Sequence, residues 1–224
     1  MNTVLAITLL VWNVHGLPMM FGGSDPAEIE QRVEQVEFDV FFGQEAWTPC
    51  MVSALDDATD AKRFSKSQWS AGLYISSNIP KTDYDEYRFG YTTWSKWDFL
   101  ALKGYQTFLG PKNTLFVNTH FDAGSDEASQ RTRYYQMGQM VIDLSEHDGP
   151  IVLAGDLNLK DRKGRPLDPF TLSRLMDALN LKIAIERKLD YVLVSEEINV
   201  VEKATLFYEE SDHRPLLVKL EIEE

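Results

Sequence analysis

The residues best able to do chemistry in this sequence stand directly after apolar runs. Asn13 follows Leu9-Leu10-Val11-Trp12, and Glu45 follows Val40-Phe41-Phe42-Gly43-Gln44. His120 follows Leu115-Phe116-Val117-Asn118-Thr119, while Asp156 and Asn158 follow Ile151-Val152-Leu153-Ala154-Gly155. A carboxylate at the end of a buried strand is costly unless a metal or hydrogen bonds satisfy it. One such residue could be a cap, but a set of them suggests a common rim holding a hard cation. Oxygen donors of this kind suit Mg2+, with Mn2+ as a substitute, since Mg2+ binds through one or two carboxylates plus substrate phosphate. Zinc fits less well, because the four histidines are widely separated and no HxxxH or CxxC spacing occurs.

Apolar runs place strands at 3–13, 40–44, 72–77, 99–103, 115–120, 151–156, 191–195 and 215–222. Helical patterns interrupt them. Asp25 caps a helix with Pro26 at its first position and Ile29, Val33 and Val36 on one face. A second helix covers 129–144, and a third starts with Asp168 as cap and Pro169 behind it, ending near Asn180. Many strands with few, scattered helices imply an α/β (α+β) architecture with two sheets face to face and helices outside. Polar strand ends would then converge on one rim. No repeat or long linker divides the chain, so a single domain over 1–224 is expected.

The 35 acidic against 22 basic residues give a net charge of −13, which disfavours tight non-specific binding to a polyanion. No stretch reaches the roughly 20 apolar residues needed to span a bilayer. The run 4–12 reads as a buried strand, not a signal-peptide core, because no basic lead-in precedes it and a polar motif follows. With the single Cys50, read as a structural thiol, a cytoplasmic location is expected, without stable membrane insertion or an obligate protein partner.

Trp12-Asn13-Val14, Gln44-Glu45, Asn118-Thr119-His120, Gly155-Asp156-Leu157-Asn158, Leu189-Asp190-Tyr191-Val192-Leu193 and Ser211-Asp212-His213-Arg214-Pro215 span nearly the whole chain. In that order they resemble the endonuclease/exonuclease/phosphatase superfamily. The resemblance implies a four-layered αββα sandwich with two mixed sheets, and metal-dependent hydrolysis of a phosphodiester. It implies Glu45 as main metal ligand with Asn13 and Asp212, Asp156 orienting the attacking water, and Asn158 on a phosphate oxygen. It makes His213 the general base held by Asp190, and His120 a donor to the phosphoryl oxygens. The stretches 118–124 and 98–104 are similar to neutral sphingomyelinases, which implies Lys103 holding a phosphate with Asp98 as its partner and a phospholipid head group as substrate. A nuclease acting on DNA or RNA is the alternative, favoured by the basic run 160–165.

Several residues invite plainer readings. His15 reads as a hydrogen-bonded surface group and His147 as the solvated end of a helix. Tyr87, Phe89 and Tyr91 alternate as one strand face would. Trp94 and Trp97 could line the substrate groove. The apolar loop 17–23 could meet a lipid or fold over the core edge.

Overall fold

The computed structural model describes residues 4–59, 62–64, 71–92 and 103–223. Along the first half run β1 (Leu5–Asn13), α1 (Pro26–Glu34), β2 (Val40–Gln44), α2 (Pro49–Ala58), β3 (Lys62–Phe64), β4 (Tyr74–Ser77) and β5 (Thr82–Arg88). There follow β6 (Gly104–Leu109), β7 (Leu115–His120), α3 (Glu127–Leu144), β8 (Ile151–Asp156), α4 (Leu167–Leu179), β9 (Leu181–Arg187), β10 (Asp190–Ser195), β11 (Asn199–Thr205) and β12 (Leu216–Ile222). The strands form two six-stranded mixed sheets, ordered β11-β12-β1-β2-β4-β3 and β5-β6-β7-β8-β10-β9.

Alternation along the central strands explains the layering. Leu9 and Val11 of β1 join Phe42, Phe116, Val152 and Val192 in the core between the sheets. Their neighbours Leu10 and Trp12 point the other way and pack on α1 and α2 through Ile29, Val33, Met51 and Leu55. On the second sheet Val117, Leu153 and Leu193 face outward onto α3 and α4 through Met137, Met140 and Leu175. The result is the expected αββα sandwich.

Each sheet has one parallel pair at its centre, β1 with β2 and β7 with β8, bridged by α1 and α3 respectively. Parallel neighbours end on the same side, so Asn13 pairs with Gln44 and His120 with Asp156. The flanking antiparallel strands begin where these end. Asp190 of β10 sits opposite Asp156, Gly104 of β6 opposite His120, and β12 starts opposite Val11. One rim therefore collects every chemically loaded strand end. Among the described residues, no helix is long and apolar enough to cross a membrane.

The helix starts need correction in two places. Asp126 caps α3 and extends it to Glu127, accepting from Ser129 N at 2.9 Å. Asp168 does not cap α4: the cap position is Pro166, and the Asp168 carboxylate is buried against Arg133. Instead, Gln130 Oε1 accepts from Leu167 N at the start of α4. The Asp25 cap and the left-handed Asn180 terminator stand as expected. Helix α2 was not anticipated, although Thr48 caps it and Pro49 opens it. Cys50, read as a structural thiol, lies exposed in its first turn. The strand expected at 99–103 falls almost wholly outside the described residues, and Lys103 precedes β6 without belonging to it. Asp98, Trp94 and Trp97 also lie outside the described residues.

Candidate active site

Glu45 occupies the first position after β2 with φ of 59°. A non-glycine residue pays about 1–2 kcal/mol for this left-handed conformation, and surrounding bonds hold it. Its carbonyl accepts from Gly16 N and Trp47 N, both at 2.8 Å. The turn brings Glu45 Oε1 to 3.2 Å from Asn13 Nδ2, which also donates to Asp156 Oδ2 at 3.1 Å. One amide thus bridges a carboxylate from each sheet. Gly155 permits the approach of β8 to β7: its φ is 141°, and a Cβ there would lie 1.9 Å from Thr119 O. Asp156 consequently stands beside His120, whose Nε2 is 3.4 Å from Asp156 Oδ2 and 3.7 Å from Glu45 Oε1.

Lys103 is buried behind this group. Its Nζ lies 2.7 Å from His120 Nε2 and 3.1 Å from Nδ1, with the Trp47 ring 5.8 Å away. Burial works to raise the Glu45 carboxyl, but the charges of Lys103 and His120 outweigh it and leave its pKa below the usual value. Asp156 is held far lower still: burial opposes ionisation, and the His120 hydrogen bond together with the charges of His120, His213 and Lys103 overcome it.

His213 lies on the opposite side of Asp156, its Nε2 3.8 Å from Asp156 Oδ2. Its Nδ1 contacts both Asp190 oxygens, at 2.9 and 2.8 Å. Burial would lower the imidazole pKa, yet the Asp190 bond and the charge of Asp156 push it up to about 9. The loop carrying His213 is pinned to β1. Ser211 Oγ donates to Asn13 O at 2.7 Å and accepts from His213 N at 3.1 Å, and Trp12 Nε1 donates to His213 O at 3.0 Å.

The fold thus gathers Glu45, Asn13, His120, Lys103, Asp156, Asn158, Asp190 and His213. Asn158, with φ of 52°, donates its backbone N–H to Asp156 Oδ1 at 2.9 Å and its side-chain amide to Phe121 O at 3.1 Å. Two members of the expected ligand set are placed differently. Asn13 turns its amide N–H toward the carboxylates, and its oxygen accepts from His15 N at 3.1 Å. The Asp212 side chain is 67% exposed and faces His15 Nδ1 at 3.4 Å. Ser211 and the indole of Trp12 went unassigned in the sequence, although both stand inside quoted motifs.

Ligand atoms of Glu45, His120 and Asp156 all lie within 4.8 Å of one another, as do those of Asp156, Asp190 and His213. The first set fits a divalent cation. It offers two converging ionised carboxylates, bridged by an amide that cannot neutralise them.

The comparisons with known proteins agree with this geometry. A family model described as endonuclease/exonuclease/phosphatase matches residues 10–213. No curated protein gives a significant match by sequence. Among solved structures, sphingomyelinase C from Streptomyces griseocarneus superposes with a TM-score of 0.72 at 16% identity, covering 96% of this chain and 99% of that one. A beta toxin mutant from Staphylococcus aureus with bound magnesium ions gives 0.71 at 15%, covering 96% and 99%. A humanized D. rerio TDP2 gives 0.73 at 15%, covering 96% and 98%. With its motifs in order on one rim and the family model reaching from before Trp12 to His213, the chain belongs to the endonuclease/exonuclease/phosphatase family of metal-dependent phosphoester hydrolases.

Proposed function

We propose that this protein is an Mg2+-dependent phosphodiesterase acting on a phospholipid head group. The observation that carries the chemistry is the convergence of Glu45, Asp156 and His120 on one side of a rim whose other side is the His213–Asp190 pair. Glu45 would be the principal cation ligand, joined by Asp156, with Asn13 keeping the two carboxylates at their spacing. When bound, Mg2+ would neutralise charge on the phosphoryl and leaving oxygens and relieve part of the anionic field that keeps His213 protonated.

The remaining steps belong to the chain's own groups. Asp190 takes the Nδ1 proton of His213 into its hydrogen bond, which leaves Nε2 as the basic nitrogen, turned toward Asp156. A water reached by both Nε2 and Asp156 Oδ2 would lose its proton to the imidazole as it attacks phosphorus. Lys103, His120 and the second amide hydrogen of Asn158 would receive the phosphoryl oxygens as negative charge builds. Their burial strengthens that interaction, because less water screens it.

The lipid reading rests on a surface feature beside the site. The segment between His15 and Ser24 folds as a tab closed by Ser24 N donating to His15 O, and at its tip Met19, Met20 and Phe21 are 62%, 83% and 72% exposed. Such a cluster resembles a binding surface more than ordinary exterior. The net charge of −13 suits a zwitterionic lipid better than a polynucleotide.

The test is a substrate panel in Mg2+ with and without EDTA: sphingomyelin vesicles, phosphatidylcholine vesicles, plasmid DNA and a soluble aryl phosphodiester. Release of a phosphorylated head group from vesicles, abolished by EDTA and restored by Mg2+, is expected. Cleavage of DNA with no action on either vesicle would replace the lipid reading by a nuclease. Inertness toward every substrate would reject the proposal.

A further inference from the structure

The two sheets face each other through apolar side chains, and such contacts are non-directional. They favour closeness without fixing where one sheet sits along the other. Directional bonds across the interface are therefore informative, and one buried amide makes three of them. Asn118, on β7 of the second sheet, donates Nδ2 to Gly43 O at 3.1 Å and to Tyr74 O at 3.0 Å, on β2 and β4 of the first sheet. Its Oδ1 accepts from Gln44 Nε2 at 2.8 Å. Both side chains are fully buried. Gln44 immediately precedes Glu45, and Asn118 lies two residues before His120.

We infer that Asn118 and Gln44 form an inter-sheet clamp that sets the distance between Glu45 on one sheet and His120 and Asp156 on the other, and thereby the affinity of the rim for its cation. Both are positioning residues, one layer beneath the site. The inference rests on the reading of Glu45 and Asp156 as the cation-holding pair. Three physical points support it. The bonds lie in a low-dielectric layer, where each has strong directional preference. The bonds end on two different strands of the facing sheet, β2 and β4, so one amide fixes the position of β7 along both. Mg2+ demands near-octahedral geometry at roughly 2.0–2.1 Å, so ligands held on separate sheets must keep their spacing to a few tenths of an ångström.

The test is isothermal titration of Mg2+ alone into purified Asn118→Leu, Gln44→Leu, Glu45→Gln and Val194→Ala variants, with melting temperatures alongside. Val194 belongs to the same inter-sheet core but lies at the far end of β10, opposite Val152. It is the control for mere loosening of the sandwich. The expected result is a fall of at least about tenfold in Mg2+ affinity for Asn118→Leu, a smaller fall for Gln44→Leu, and unchanged affinity for Val194→Ala despite a lowered melting temperature. If Asn118→Leu does not fold, Gln44→Leu decides, since it removes one bond of the three. Clamp variants that lose thermal stability but bind Mg2+ as the parent does would overturn the inference and leave the cation site intact. Undiminished Mg2+ binding by Glu45→Gln would instead overturn the cation site, and the clamp with it.

Discussion

Two clusters of buried charge in this molecule are built on opposite plans. Beneath α3 and α4, Arg133 and Asp168 are both fully buried, and the guanidinium makes four hydrogen bonds. Its Nε and Nη2 donate to Asp168 Oδ1 at 3.0 and 2.7 Å, and its Nη1 donates to the carbonyls of Asp122 and Gly124 at 3.0 and 2.9 Å. The carboxylate meets the Arg133 guanidinium, with Arg165 Nη1 3.6 Å from its other oxygen, and two carbonyls take further Arg133 donors. At the rim, Glu45, Asp156 and Asp190 crowd around Lys103 and His213, and two of the carboxylates share an amide donor. The closed pair ties α4 to the loop after β7. The open cluster retains capacity for a cation and an anionic substrate. Buried charge that finishes its own accounts builds architecture, while buried charge that does not is poised to bind.

Mutation should separate the two plans, and the largest effect belongs to the rim. His213→Ala should lower kcat by roughly 10²–10⁴-fold, the usual share of general acid–base catalysis, with little change in melting temperature. Retention of most of the activity would remove His213 from its assigned role. The closed pair should show the reverse. Arg133→Met leaves the buried Asp168 with only Arg165, 3.6 Å away, and should cost about 3–5 kcal/mol in urea unfolding. A variant as stable as the parent would show that the pair is not structural.

The difference in balance can also be read by titration. His213 is raised from 6.5 to about 9, so its charged form is favoured by folding. The stability it contributes should be complete below about pH 6.5 and should disappear as the pH rises through 9. In cation-free protein, NMR of the His213 ring should give a midpoint near 9, and Asp190→Asn should move it down toward 6.5. A wild-type midpoint at the ordinary value would contradict the anionic character of the rim. The smallest effect concerns the tab beside the site. Met20→Asp with Phe21→Asp should weaken binding to phosphatidylcholine vesicles in a flotation assay and leave turnover of a soluble aryl phosphodiester unchanged. Equal losses in both would place the tab in the general machinery and not at a lipid surface.

The same contrast governs what could be read from the sequence. Strands β1, β2, β7, β8 and β10 are covered on both faces, so they appear as largely apolar runs, and the polar residues that end the first four and open β10 mark the rim. The unanticipated β3, β9 and β11, with β5, of which only the alternation from Tyr87 was read as a strand face, are the four sheet edges. Edge strands carry charged and polar residues, as Thr82–Arg88 does, and the period-two signal is diluted accordingly. Strand β6 is internal, but Gly104, Gln106 and Thr107 interrupt its apolar pattern. The site residues were legible as types and positions. Of their pairings, His213 with Asp190 came from the family resemblance, and the others described here were not legible. Asp168 before Pro169 has every local mark of a cap, and only Arg133, distant in sequence, claims its carboxylate. Likewise, nothing local shows that Asn118 reaches the opposite sheet, that Ser211 anchors the His213 loop on Asn13, or that Asp212 turns outward to His15.

The most direct test of the open cluster is a crystal structure of the protein soaked in Mn2+, with anomalous data collected at the manganese edge. A manganese peak coordinated by Glu45 and Asp156, and lost in Glu45→Ala, is the predicted result. Manganese bound elsewhere, with the Asn13 amide still bridging the two carboxylates, would contradict it.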